Sequence, residues 1–122
     1  MSAPEFQLQK SICELFKTAY PQVLHFSVPN GAALCATGDP VGRQRAMREV
    51  SKLKVSGMLP GAPDLIIVWQ GGWGALEIKA DKGRVSTEQA WVHNRLRCLG
   101  HNVAIVRSLD DAIAAVKSWR MI

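Results

Sequence analysis

The most constraining stretch of this chain is PDLIIVWQGGWGALEIK, Pro63 to Lys79. Two runs rich in β-branched and aromatic residues, Asp64 to Trp69 and Trp73 to Lys79, flank Gly71-Gly72 in the pattern of a tight β-hairpin. Opposed residues of such a pair share a sheet face, and so do residues i and i+2 along one strand. With Gly71-Gly72 as the two-residue loop, Gln70 faces Trp73, Ile66 faces Glu77 and Asp64 faces Lys79. Asp64, Glu77 and Lys79 then converge on one face at the open end of the hairpin, inside an otherwise apolar frame. A slip of one residue would send Asp64 to the opposite face and dissolve the cluster.

The flanking sequence completes an α/β order. Ser2 precedes a helical pattern whose apolar stripe is Leu8, Ile12, Leu15, Phe16 and Ala19, and Pro21 ends it. Val23 to Val28 reads as a strand closed by the turn PNG at 29–31, and Ala32 to Asp39 as a loop. A basic helix follows from about Pro40 until GMLPGAP, Gly57 to Pro63, breaks it. After the hairpin, Ser86 starts a helix that ends at Gly100, and Asn102 to Arg107 is a short strand. Ser108 caps a last helix that reaches about Trp119. The order α-β-α-β-β-α-β-α predicts a mixed β-sheet flanked by helices, and 122 residues suit a single domain, 1–122.

Composition narrows the setting. Hydrophobic residues make up 48% and charged residues 20%, the balance of a globular chain and not a disordered one. The longest strongly apolar run, Leu65 to Trp69, is far too short to span a bilayer, and the N-terminus lacks the basic start and apolar core of a secretory signal. An intracellular protein with no membrane partner is the expectation, in cytoplasm of bacterial or phage type. Cys13, Cys35 and Cys98 are scattered without metal-binding spacing and read as reduced and mostly packed thiols.

The net charge of +5 favours a polyanionic partner. Its distribution is more telling: RQRAMREVSKLK, residues 43–54, holds five basic residues and one acid. At helical spacing Arg45, Arg48 and Lys52 share one face, and Ala46, Val50 and Leu53 another. An ordinary amphipathic helix would give that pattern. So would a phosphate-contacting surface, to which Arg43 and Lys54 add charge.

Two clustered carboxylates repel unless a cation lies between them, and hard oxygen donors suit Mg²⁺ or Mn²⁺. A neighbouring ammonium orients an attacking water or stabilises charge on a pentavalent phosphate. Acid, acid and lysine are thus a set for hydrolysing phosphodiesters. A bare ExK tripeptide is most often an exposed strand with a Lys–Glu pair; the Pro-Asp opening the preceding strand weighs against that use here.

These residues carry a resemblance. Pro-Asp followed by EIK across a hairpin resembles the PD-(D/E)xK nuclease superfamily, and the fuller pattern resembles its VRR-NUC branch, the virus-type replication-repair nucleases. The matching pieces occur in order as PNG at 29–31, GMLPGAPDLII at 57–67, LEIK at 76–79 and GRVSTEQ at 83–89. The resemblance spans nearly the whole chain. It implies a restriction-endonuclease-like fold and Mg²⁺- or Mn²⁺-dependent cleavage of DNA. It also implies Asp64 and Glu77 as metal ligands, the Ile78 carbonyl as a further ligand and Lys79 as the catalytic lysine.

Other residues stay open between two uses. The resemblance places Gln89 beside the lysine, yet Ser86 and Gln89 also spell a capping box that would hold the side chain on its own helix. Glu5, with Gln9 one turn on, matches a first-helix glutamate near the metal, while Ser2 and Glu5 spell a second capping box. Glu14 lies off that face. His25, His93 and His101 lack ligand spacing and read as packed or surface residues. Trp69 and Trp73, beside the hairpin turn, read as packing residues. Asn30 reads first as a turn residue and second as a DNA contact, and Asp81 solvates a polar loop.

Three functions are compatible with this reading. A structure-selective endonuclease resembling homodimeric Holliday-junction resolvases comes first, because phosphate contacts without a base-reading module select DNA by shape, here branched DNA. The others are a nuclease or nickase on ordinary duplex, and a DNA-binding module that has lost catalysis.

Overall fold

In a computed structural model of the chain, residues 1–29 and 39–121 are described. Asn30 and Cys35 lie outside them. The elements follow the expected order: α1 (Ala3–Ala19), β1 (Leu24–Ser27), α2 (Pro40–Val55), β2 (Leu65–Trp69), β3 (Gly72–Ile78), α3 (Thr87–Cys98), β4 (Asn102–Val106) and α4 (Leu109–Ser118). The four strands form one mixed sheet in the order β1-β2-β3-β4. The β1–β2 and β2–β3 pairs are antiparallel, and β3–β4 is parallel with α3 as its crossover. Among the described residues no helix is long and apolar enough to cross a membrane.

Alternation along the strands sorts the two faces. Leu65 and Ile67 of β2, Leu76 and Ile78 of β3 and Val106 of β4 pack with Ile12 and Phe16 of α1 and Ala112, Ala115 and Val116 of α4. This is the predicted stripe of the first helix meeting the apolar side of the last. At the turn end of the hairpin the Trp69 and Trp119 rings stack, centroids 6.0 Å apart, with Trp119 lying against Gly74. A Cβ on Gly74 would overlap the Trp119 ring. On the opposite face α3 covers β3 with Val92 and His93. Covered on both sides and flanked by β2 and β4, β3 is buried without a break from Gly74 to Ile78.

The hairpin register corrects the sequence expectation. Trp69 pairs with Gly72 and Leu65 with Leu76, so the loop is Gln70-Gly71 and not Gly71-Gly72. Gly71 adopts φ +94° at the second loop position, where a side chain would be strained. Gly72 instead opens β3 under the Trp69 indole, whose atoms would stand 3.1 Å from a Cβ there. Ile66 therefore faces Ala75, and the register continues to set Asp64 level with Glu77 in place of Lys79. The pairing moves by two positions and the side-chain period is two, so every residue keeps its face. Asp64, Glu77 and Lys79 remain together, with the carboxylates closer than expected.

The loop before β2 is fixed against α3. Gly61 has φ +87°, and a Cβ on it would lie 2.5–2.7 Å from backbone atoms of Glu88 and Gln89. Gly61→Ala should combine left-handed strain with an overlap against helix backbone, a loss of about 2 kcal/mol or more. Gly71→Ala, with open space around it, should lose only the strain, about 1–2 kcal/mol. Urea unfolding of the two variants checks this. Equal midpoints would show that the loop does not press on α3.

Candidate active site

The predicted cluster forms at the end of the sheet away from the hairpin turn. Asp64 directly precedes β2; its carbonyl accepts from Val28 N–H at 2.9 Å, which ties it to β1. Its carboxylate reaches across to β3, where Oδ2 accepts the Ile78 N–H at 2.8 Å. Alternation explains that bond. Lys79 N–H turns to β4 and donates to the Val106 carbonyl at 3.0 Å, so the polar groups of Ile78 turn toward β2. There the ladder has run out of strand, and the Asp64 side chain takes its place. The Ile78 carbonyl turns to the same edge as its N–H.

Glu77 is only 1% exposed. Burial drives its pKa up to about 9, and the Asp64 carboxyl beside it pushes in the same direction; Lys79 opposes them, and Glu5 adds to the rise. Its Oε1 lies 3.0 Å from Nε2 of His93, itself 1% exposed. Burial, with Arg97 and Lys79 nearby, holds the His93 pKa below the ordinary value, which keeps the imidazole neutral. Reading His93 as a packed histidine was right about its burial. It missed that the residue packs on the site carboxylate. The signal was available as spacing: His93 follows Gln89 by four residues and shares its helix face.

Glu5 and Gln89 divide between their two uses. Ser2 Oγ accepts from Glu5 N–H at 3.3 Å, but the Glu5 carboxylate does not return to Ser2. Its Oε1 accepts from Ala80 N–H at 3.4 Å and lies over Gly83, so Glu5 sits at the turn just past Lys79. For Gln89 the capping box is complete: its N–H donates to Ser86 Oγ and its Oε1 accepts from Ser86 N–H at 2.9 Å. One residue escaped the sequence reading altogether. Arg107, directly after β4, inserts its guanidinium into the 80–83 turn and donates to the carbonyls of Ala80 (2.7 Å), Asp81 (3.3 Å) and Gly83 (2.8 Å). It thereby braces the segment that carries Lys79 and receives Glu5.

Away from this cluster, Arg43, Arg45, Arg48, Lys52 and Lys54 are all exposed on α2, a helix without a buried residue. Lys52 lies 3.5 Å from Glu49. Ala46 and Val50 are half-buried on the other side. A hollow of about 680 Å³ between α2, α3 and the sheet, lined by Leu53, Leu59, Ile66, Trp73 and Leu96 among others, has no ionisable side chain among the described residues that line it. Charge, not volume, marks the site. Trp73 packs on His101 with centroids 4.9 Å apart, a packing role as expected.

The donor set fits a hard divalent cation through a minimal number of protein ligands. Among the described residues no group of three His, Cys, Asp or Glu side chains is gathered to hold a metal. Mg²⁺ requires less, commonly one or two carboxylates with waters and a substrate phosphate. Two observations favour the fit. Burial and the Asp64 carboxyl raise the cost of ionising Glu77, which a cation would relieve. Gln9 Oε1, one turn beyond Glu5, is buried without a hydrogen-bond partner, an acceptor open to a hydrating water.

The raised pKa of Glu77 sets a pH dependence. A folded pKa near 9 against 4.5 for the free side chain means that the folded protein binds the extra proton between those values. Stability is therefore full below about pH 4.5 and is lost as pH rises toward 9, at up to about 1.4 kcal/mol per pH unit. Melting in EDTA should show this decline, Glu77→Gln should flatten it, and Mg²⁺ should offset it. A midpoint independent of pH in EDTA would mean that Glu77 is not strained by its surroundings.

A scan against protein families finds no match, and a search of curated proteins finds none. Solved structures do match. One, described as "VRR_NUC domain protein", superposes with a TM-score of 0.70 at 16% identity, covering 99% of this chain and 92% of the other. A second, described as "VRR_NUC domain", gives 0.65 at 21% identity and covers 97% and 99%. Likeness over nearly the full length of both partners, with the strand order and the flanking helices in place, establishes the architecture. The chain has the restriction-endonuclease-like fold of the VRR-NUC domains.

Proposed function

We propose that this domain is a Mg²⁺- or Mn²⁺-dependent endonuclease that hydrolyses DNA phosphodiester bonds, selects branched DNA and acts as a homodimer. The observation that supports it most is the carboxyl pair of half-buried Asp64, just before β2, and buried Glu77 on β3, beside Lys79 in a nuclease-type fold. Asp64, Glu77 and the Ile78 carbonyl would hold the cation, with Glu5 close by. When bound, the ion supplies Lewis acidity at the scissile phosphate and neutralises developing charge.

The chain's own residues do the rest. Lys79 follows Glu77 by two positions on the same face, where its ammonium can orient water and oppose charge on the phosphate. Gln89 commits its side-chain oxygen to the helix cap, which leaves only its amide nitrogen available for any part at the site. The exposed basic face of α2 grips phosphate. Contacts to backbone phosphate carry no sequence information, so discrimination follows DNA shape. A twofold pair of domains would present two such sites to opposed strands, the arrangement a four-way junction calls for.

Two experiments test this reading. Labelled junction, flap and duplex DNA are incubated with Mg²⁺, Mn²⁺ or EDTA; cutting should need the metal and favour the junction. Lys79→Ala should lower the rate by about 10²–10³, roughly 2.7–4 kcal/mol of barrier, with an almost unchanged melting temperature and intact DNA binding. Full cutting in EDTA, or by Lys79→Ala, would sink the assignment, and equal cutting of plain duplex would remove the preference for branches. Separately, neutralising Arg45, Arg48 and Lys52 should weaken binding to all sequences alike. The log–log salt slope should drop by roughly 0.9 for each phosphate that the variant no longer neutralises. An unaltered slope would mean that α2 faces away from DNA.

A further inference from the structure

Glu77 has two carboxylate oxygens, and only one of them meets His93. That contact is unusually well defined: Oε1 to Nε2 is 3.0 Å, and the two side chains are 1% and 2% exposed. Neither residue can swing to another partner without unpacking α3 from β3. A buried imidazole is costly unless it is hydrogen-bonded, and an apolar residue would fill the same space at lower cost. Its presence therefore calls for a role at the carboxylate. The surroundings support a fixed geometry. Ser86 and Gln89 set the start of α3 one turn before His93, and Gly61 lets the loop leading to Asp64 press on that same first turn. Helix, loop and strand are indexed to one another at this point.

We propose that His93 is a positioning residue for the divalent cation: its Nε2–H fixes Oε1 of Glu77, so that Oε2 is the oxygen presented to the metal. His93 itself touches neither metal nor DNA. The inference rests on the reading that Glu77 holds a cation. An ionised Glu77 can only accept a hydrogen bond, so the metal-loaded protein must carry the imidazole proton on Nε2. Partners that orient a metal ligand in this way typically account for roughly 10–100-fold in affinity.

The test is Mn²⁺ binding without DNA, followed by the electron paramagnetic resonance of free Mn²⁺. His93→Leu, apolar and of similar bulk, should bind roughly 10–100-fold more weakly than wild type while remaining folded. His93→Gln, which restores a donor, should recover most of that loss. Histidine-labelled ¹⁵N NMR of the wild type with Mg²⁺ should find His93 as the Nε2–H tautomer, a readout that does not depend on any variant folding. Equal Mn²⁺ affinity in His93→Leu, a Gln variant as weak as the Leu variant, or an Nδ1–H tautomer would each overturn the inference and leave the metal reading standing. A wild type that takes up no Mn²⁺ would overturn the metal reading itself, and His93 with it.

Discussion

A carboxylate on a strand without an exposed side governs this molecule. From Gly74 to Ile78 β3 is buried on both faces, and Glu77 lies within that run. An ionised carboxylate taken out of water costs several kcal/mol after relaxation, unless partners meet it. Segments around Glu77 supply these partners. Asp64 comes from the start of β2, His93 from α3, and Lys79 from the next position on the same face. The α1 helix contributes Glu5 over the following turn. Two of these partners are acids, so the arrangement is incomplete as an ion pair and leaves Glu77 protonated at neutral pH.

How far the sequence disclosed this depends on the kind of information each feature needs. Faces were legible because alternation is local: Asp64, Glu77 and Lys79 share a face under either loop choice. The loop itself was not, because Gln70-Gly71 and Gly71-Gly72 differ in a tertiary matter, the passage of the Trp69 ring over Gly72. Capping boxes were legible as motifs but ambiguous in use. Ser86–Gln89 closes while Ser2–Glu5 does not, because the Glu5 carboxylate turns to a distant backbone donor, Ala80 N–H. His93 and Arg107 act across 16 and 24–27 residues of sequence, and no local pattern announces such partners.

Arg107 also explains how a lysine at a strand end is kept in place. Strand ends fray, and β3 stops at Ile78, immediately before Lys79. One hydrogen bond to Val106 extends the ladder. The guanidinium then gathers carbonyls of the next turn around a positive charge, and Asp111 accepts the Arg107 backbone N–H at 2.9 Å. Bonds of this charge-assisted kind are the stronger class. The start of α4 is thereby tied to the turn that carries the site.

The hairpin turn stands at the opposite end of β2 and β3 from all of this. Trp69 lies five positions beyond Asp64, roughly 17 Å of strand at about 3.3 Å per residue. The Trp69–Trp119 stack clamps the pairing just inside the turn, so strand alignment does not rely on Gln70 and Gly71 alone. Gly71 has nothing within 4 Å of where a side chain would begin. That tip is thus a natural splice point, where a reporter peptide can be inserted or new chain ends opened while the carboxyl cluster at the far end keeps its geometry.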